Sequence, residues 1–141
     1  MGDLSRKFSR KEFACHCGCG TDNVSPELVA ALQELRDRAG RPVMVVSGCR
    51  CPEHNREVGG EPQSFHLATE VLEGRAGDVR IPGLGLWRIY ELAREIPAFA
   101  RGGIGVYPEN GFVHLDVRGG KARWAKVGGK YVSIEEAGGK K

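Results

Sequence analysis

Nowhere in the 141 residues do about 18 apolar side chains follow one another, so no membrane-spanning helix and no membrane insertion are expected. The opening MGDLSRKFSRKEF also lacks the continuous apolar stretch of a secretory signal, and the expectation is a chain that is cytoplasmic as synthesised. Charge of one sign is scarce too. Lys plus Arg number 21 and Asp plus Glu 18, and the resulting +3 is spread along the chain, so no footprint for a nucleic-acid partner emerges. Five cysteines cannot all close into intramolecular disulfides. The odd count speaks against a secreted disulfide framework and for metal-bound or free thiols.

Glycine, by contrast, is plentiful. Its 21 copies are about twice the average share, which predicts a loop-rich fold with short elements. Hydrophobic residues at 40% and charged residues at 28% are those of a folded globular chain, here expected as a monomer. The length suits one domain over 1–141: a Cys-rich N-terminal segment (1–24), a core (25–120), and C-terminal strands with a frayed tail (121–141).

Residues 25–39 carry the clearest helical pattern. Ser25 suits the N-cap, Pro26 the first position, and Leu28, Val29, Leu32 and Leu35 form an apolar stripe that Gly40 and Pro42 end. The β-branched run 42–47 predicts a buried strand that delivers Ser47-Gly48-Cys49-Arg50 to a loop. Residues 52–77 show no sustained period and read as a long irregular stretch, of the kind that more often carries function than idles. A strand follows at 78–82, then a helix at about 85–97 closed by Pro97. Next come two alternating runs, 103–107 and 112–118, around Pro108-Glu109-Asn110-Gly111, which predict a hairpin. Short strands around Arg123-Trp124 and Tyr131-Val132 complete the chain. The fold class is α/β (α+β), a small antiparallel sheet flanked by helices.

His66, Asp78 and His114 each sit at an element edge, and three N/O ligands with a fourth position left open distinguish a catalytic zinc site from a closed structural one. On spacing alone, satisfied core or surface histidines are the commoner reading. The surroundings add information: Ser47-Gly48-Cys49-Arg50, His54-Asn55, Val58-Gly59-Gly60, Ser64-Phe65-His66-Leu67, Gly74-Arg75-Ala76-Gly77-Asp78 and Phe112-Val113-His114-Leu115-Asp116 occur in this order. That set resembles the zinc-dependent M15 peptidases, D-Ala-D-Ala carboxypeptidases and related murein endopeptidases and phage endolysins, whose fold the hedgehog signalling domain shares. With Phe8-Ser9 through Phe13-Ala14-Cys15 the resemblance spans roughly 8–120 and looks like the phage-associated branch.

The resemblance implies one catalytic zinc held by His66, Asp78 and His114, whose bound water is acidified toward about pH 7 for attack on an amide. It also implies Arg50 as a substrate-binding guanidinium, with Ser64 as a second substrate-binding candidate, and a peptide of peptidoglycan as substrate. Action on the cell wall would then follow release or delivery, as for a prophage product. A catalytically inactive zinc-binding recognition domain on the same fold is the alternative.

Two departures from the family pattern stand out. Five extra residues lie between His66 and Gly74; they must loop outward if the ligands are to converge, and they are expected to reshape the rim of the site. Gly111 occupies the position where many members carry the general base, which leaves Asp116, on the same strand face as His114, and Glu109 as the catalytic carboxylate candidates. Asp116 also fits a role in orienting a ligand. Cys15-His16-Cys17-Gly18-Cys19 suggests a second, structural zinc at Cys15, Cys17 and Cys19, with His16 as a candidate ligand, although C-x-C-x-C departs from the usual C-x-x-C. Reduced buried cysteines, or a disulfide to Cys49 or Cys51, are the alternatives. A Cys51/His54 nucleophile pair lacks any third group to orient it.

Overall fold

The computed structural model describes Leu4 and residues 7–61, 63–69 and 71–138. A 3-10 turn at Arg10–Phe13 comes first, fixed by the Ser9 amide donating to the Glu12 carboxylate at 2.7 Å. Helix α1 (Pro26–Ala39) forms where the pattern predicts it: Ser25 Oγ accepts from the Leu28 amide at 3.4 Å, and the stripe of Leu28, Val29, Leu32 and Leu35 is buried together with Ala31. Strand β1 (Met44–Ser47) follows.

The stretch expected to be irregular holds a helix, α2 (Pro52–Glu57). Six residues are too few to display a helical stripe, which is why no period betrayed it. Strand β2 (Ala76–Arg80) starts two residues before Asp78, because Ala76 and Gly77 pair with Asp116 and Leu115. The single helix expected at 85–97 is two, α3 (Leu86–Arg94) and α4 (Pro97–Ala100). Ile96 is extended (φ −93°, ψ 117°), as the residue before a proline prefers, so Pro97 opens a new helix and does not merely close the old one. Strands β3 (Gly103–Tyr107) and β4 (Phe112–Asp116) form the predicted hairpin, closed by the Gly111 amide donating to Tyr107 O at 2.8 Å. Strands β5 (Ala122–Val127) and β6 (Lys130–Val132) form a second hairpin.

The six strands make one sheet in the order β1-β2-β4-β3-β5-β6. Its pairs are antiparallel as expected, except that β5 runs parallel to β3. After β4 the chain steps across the start of β3, where the Ala122 amide donates to Gly102 O at 3.1 Å, and so enters the sheet beside β3 in the same direction.

Strand parity divides the sheet into a packed face and a working face. Val79, Ile104, Val106, Val113, Leu115 and Ala125 are fully buried with Leu32, Ile89, Tyr90 and Phe99 of the helices in one apolar cluster. Asp78, His114, Asp116 and Trp124 have the opposite parity. The register aligns Asp78 with His114 across β2 and β4, and Ala76 with Asp116. A one-residue slip would turn both ligand candidates into the apolar layer, so burial of Val79, Val113 and Leu115 fixes the site as firmly as it fixes the fold.

Candidate metal centre

Two of the three predicted ligands come from adjacent strands and the third from a loop strapped beside them. Asp78 and His114 are cross-strand partners. His66 sits in a turn in which Ser64 Oγ accepts the His66 amide at 3.1 Å and the Leu67 amide donates to Ser64 O at 3.2 Å. That turn is tied on both sides, by the Arg50 amide to His66 O at 2.7 Å and by the Arg75 amide to Phe65 O at 2.7 Å. A bulge in β1 between Val45 and Ser47 sets Ser47 opposite Asp78 and brings the Gly48 carbonyl against the His66 ring.

His66, Asp78 and His114 are 2%, 4% and 8% exposed, and one ligand atom from each lies within 4.8 Å of the others. His66 Nε2 is 3.2 Å and His114 Nδ1 is 3.1 Å from the same oxygen of Asp78. The far nitrogen of each ring is held by an acceptor. Gly48 O lies 2.7 Å from His66 Nδ1, and a carbonyl only accepts, so that nitrogen carries the hydrogen and Nε2 faces Asp78 with its lone pair. Asp116 Oδ2 lies 2.7 Å from His114 Nε2 and does the same for the second ring, leaving Nδ1 to face Asp78. Fixed tautomers of this kind are what metal-binding imidazoles need. Two imidazole nitrogens and a carboxylate oxygen with a side open to a cleft form the donor set of a catalytic zinc site, and the three residues fit that ion.

The charges are consistent with this fit. Burial opposes ionisation of Asp78, but His66 and His114 outweigh it and hold the carboxyl well below the ordinary range. Burial likewise disfavours protonation of His114, yet its bonds to Asp116 and Asp78 push it up to about 9. In the metal-free protein a proton therefore bridges His114 and Asp78, at the place a cation would take.

Asp116 is fully buried, and its two oxygens accept from His114, from the Gly103 amide (2.9 Å), and from the Arg118 amide (3.1 Å), Nε (2.9 and 3.0 Å) and Nη2 (2.6 Å). Burial would raise its pKa, but His114 and Arg118 hold it below the ordinary carboxylate range. Glu109 sits on the exposed β3–β4 turn with its carboxylate on the Gly128 amide at 2.9 Å, and it does not line the cleft.

The cleft over the site has a volume of about 760 Å³. Arg50 lines it, with Nη1 donating to Asn55 Oδ1 at 3.1 Å and Nη2 3.7 Å from Asp78 Oδ2. Asn55 is buried and donates in turn to Glu61 O at 2.8 Å. Ser64 also lines the cleft. Opposite stands an aromatic wall: Tyr107 stacks on Phe112 with centroids 4.7 Å apart and accepts from Trp124 Nε1 at 3.0 Å, while Arg118 lies over both Phe65 and Trp124. Lys126 and Tyr131 extend that side. Among the described lining residues the cations are Arg50, Arg118 and Lys126 and the carboxylates are Asp78 and Glu61, so the cleft suits a ligand with negative groups.

The Peptidase M15 family pattern matches residues 6–116, most of the chain. The chain belongs to the M15 peptidase family. It is 32% identical over 96 residues to the peptidoglycan L,D-endopeptidase MepK of Escherichia coli (strain K12), covering 67% of this chain and 51% of that protein, and the same figures hold for MepK of Shigella flexneri. The chain thus spans about half the length of the curated relatives it matches.

For this M15 chain, sequence reasoning brought the three ligand candidates, Arg50, Ser64 and Asp116 to one place. It assigned no role to Asn55, Glu61, Arg118 or the aromatic wall. Parity with His114 on β4 would have pointed to Trp124, since β3 lies between them with Gly105 paired to both. The five-residue insertion does loop outward, with Val71 95% exposed. The expected effect on the rim does not follow, because no described residue of 67–73 lines the cleft. Asn23 takes up both ends of that loop, donating to Thr69 O at 2.8 Å and accepting from the Gly74 amide at 2.7 Å. The second metal candidate gathers Cys15, Cys17 and Cys19 with Cys51, and His16 is outside it. No helix among the described residues is long and apolar enough to cross a membrane.

Proposed function

We propose that this chain is a zinc-dependent hydrolase that cuts within peptidoglycan peptides, in the manner of the L,D-endopeptidases it resembles. The observation that carries the reading is the buried His66–Asp78–His114 set with both far ring nitrogens already fixed by Gly48 O and Asp116. When bound there, zinc supplies the Lewis acidity that polarises an amide carbonyl and activates water at neutral pH. Arg50, aimed by Asn55, meets a carbonyl or carboxylate of the substrate, and the Phe65–Arg118–Trp124 stack and Tyr107 supply a wall along which the peptide lies. Ser64 shapes the His66 turn from the floor of the cleft.

Asp116 acts on His114, since its oxygens are filled by donors and it does not line the cleft. Glu109 is engaged elsewhere. Among the described residues this leaves Glu61 as the cleft carboxylate free to accept the proton of the attacking water. Because the substrate lies in the cell wall, the chain must be released or delivered there to act.

Purified muropeptides incubated with the zinc-loaded protein and read by mass spectrometry test the reading. The expected product is an internal cut that chelator abolishes. Loss of a single terminal D-alanine would make the chain a carboxypeptidase, and intact muropeptides beside fully bound zinc would make it a recognition domain. Glu61→Gln should keep its zinc and lose about 10²–10⁴ in rate; a rate within about threefold of the parent removes Glu61 from the reaction.

A further inference from the structure

Four thiols from two distant segments meet away from the cleft. Cys15, Cys17 and Cys19 come from the N-terminal segment and Cys51 from the start of α2, and their sulfurs all lie within 4.8 Å of one another. Cys15 to Cys17 is 3.4 Å, Cys17 to Cys51 3.6 Å and Cys15 to Cys51 3.8 Å, and all five cysteines of the chain are free thiols. A disulfide would place two sulfurs about 2.05 Å apart and leave the others idle. A tetrahedral ion with Zn–S of about 2.3 Å has edges of about 3.8 Å, close to the spacings here.

The backbone is arranged for the same purpose. Gly18, between Cys17 and Cys19, takes a φ of 85°, a turn that an L side chain rarely adopts. The Cys51 amide lies 3.5 Å from Cys15 Sγ and the His54 amide 3.4 Å from Cys51 Sγ, so two sulfurs already receive N–H groups of the kind that stabilise thiolates. The fifth cysteine, Cys49, is buried against Gly74 and takes no part.

We propose that Cys15, Cys17, Cys19 and Cys51 bind a second zinc ion in a closed, structural four-thiolate site that pins the N-terminal segment to the stretch carrying Arg50. Binding exchanges thiol protons for the metal, and with four protein ligands no position is open for chemistry. Its consequence reaches the cleft through the chain. Cys51 adjoins Arg50, whose amide and carbonyl bond His66 O and the Ala68 amide, and the Cys49 amide donates to Phe13 O at 2.8 Å just before Cys15. The site thus fastens the two strands of chain that flank the Gly48 carbonyl. It stands on its own residues, whatever reaction the cleft performs.

The test is elemental analysis of the full chain beside His66→Ala/His114→Ala and Cys17→Ser/Cys19→Ser, together with cobalt substitution of the His-deficient variant. That variant should retain about one equivalent of zinc, and its cobalt form should show the intense sulfur-to-metal charge-transfer bands and d–d spectrum of a tetrahedral tetrathiolate. The Cys-deficient variant should hold about one equivalent less than the parent, and a thiol reagent should reach four more cysteines in the parent after chelation than before. A His-deficient variant that holds no zinc and gives no such cobalt spectrum, or native mass two hydrogens low from a disulfide, would overturn the proposal. The cobalt spectrum decides the matter even if the Cys-deficient variant fails to fold. A fault in the His/Asp/His assignment shows separately, as a His-deficient variant with the parent's full zinc content.

Discussion

Replacing Asp116 by Asn separates two roles that a carboxylate beside a metal ligand can play. The substitution keeps the volume and removes the charge of a fully buried side chain that accepts from His114, Arg118 and the Gly103 amide. The new amide has one way to sit. Its oxygen must stay toward the Gly103 and Arg118 amides, which are backbone donors that cannot turn, so its NH₂ takes the place of Oδ2. There it faces His114 Nε2 at 2.7 Å and Arg118 Nη2 at 2.6 Å, two donors. His114 can relieve the conflict by moving its hydrogen to Nδ1, the nitrogen that faces Asp78 and the metal position. Arg118, 26% exposed, must turn its Nη2 away while Nε stays on Oδ1 at 2.9 Å, at a cost of about 1.5–3 kcal/mol for the one charge-assisted bond given up. A domain with roughly 5–15 kcal/mol of stability survives that loss.

Asp116→Asn should therefore fold, denature at lower urea, and bind zinc about 10–100-fold more weakly in competition against a chromophoric chelator. Nitrogen-15 imidazole spectra of the metal-free protein, taken above about pH 9 where the parent His114 is neutral, should show the changed tautomer. If Asp116 were instead the proton acceptor, zinc affinity would be preserved and turnover alone would vanish. Parental affinity in a folded variant refutes the orienting role.

Two other outcomes follow from the same geometry. Gly48→Ala would place a Cβ about 2.7 Å from Phe13 Cα and 2.9 Å from Phe13 O, backbone atoms that must give way, and so shift the Gly48 carbonyl off His66 Nδ1. Thermal unfolding should show a loss of about 1–3 kcal/mol together with weaker zinc binding, and an unchanged melting temperature would contradict the contact. In the metal-free protein, His114 titrates at about 9, above its unfolded value near 6.5, so its contribution is complete below about pH 6.5 and is lost as pH rises through about 9. Asp78 titrates below its unfolded value, so its contribution is present above about pH 4 and is lost as pH falls. The urea midpoint of chelated protein should thus be higher at pH 6 than at pH 9, and zinc, by taking the place of the proton, should remove the difference. Equal midpoints at the two pH values without metal would contradict the His114–Asp78 bridge.

Strand parity and turn chemistry made much of the centre readable in advance. Asp116 could be placed beside His114 because residues two apart share a face, and the Asn-Gly turn fixed the hairpin that carries both. What stayed hidden were relations between segments with no local pattern to announce them. Helix α2 is too short to show a period, so Asn55 remained a bare motif residue until its amide appeared between Arg50 and Glu61. The parallel pairing of β5 depends on which side of the hairpin the chain crosses, a choice that Gly102 and the link after β4 make in three dimensions only. Cys51 could not be told from Cys49 by sequence, since both flank Arg50; the fold buries one against Gly74 and presents the other to Cys15 and Cys17.

The insertion after His66 shows why the ligands withstand such changes. His66 is held from its N-terminal side, by Ser64 within the turn and by Arg50 and Gly48 across it, and Asp78 is held by its pairing with β4. No described residue of 69–73 supplies any of these restraints. The loop closes on Asn23 at both ends, and longer surface loops add closure entropy only slowly, by about 0.6 kcal/mol for each doubling of length. Extra residues there leave the His66 to Asp78 distance to the sheet and the β1 bulge. Shortening the loop while keeping Gly74 paired to the Ser25 and Asn23 backbone should for the same reason leave zinc affinity where it is, whereas one residue added between Ser64 and His66 should abolish it.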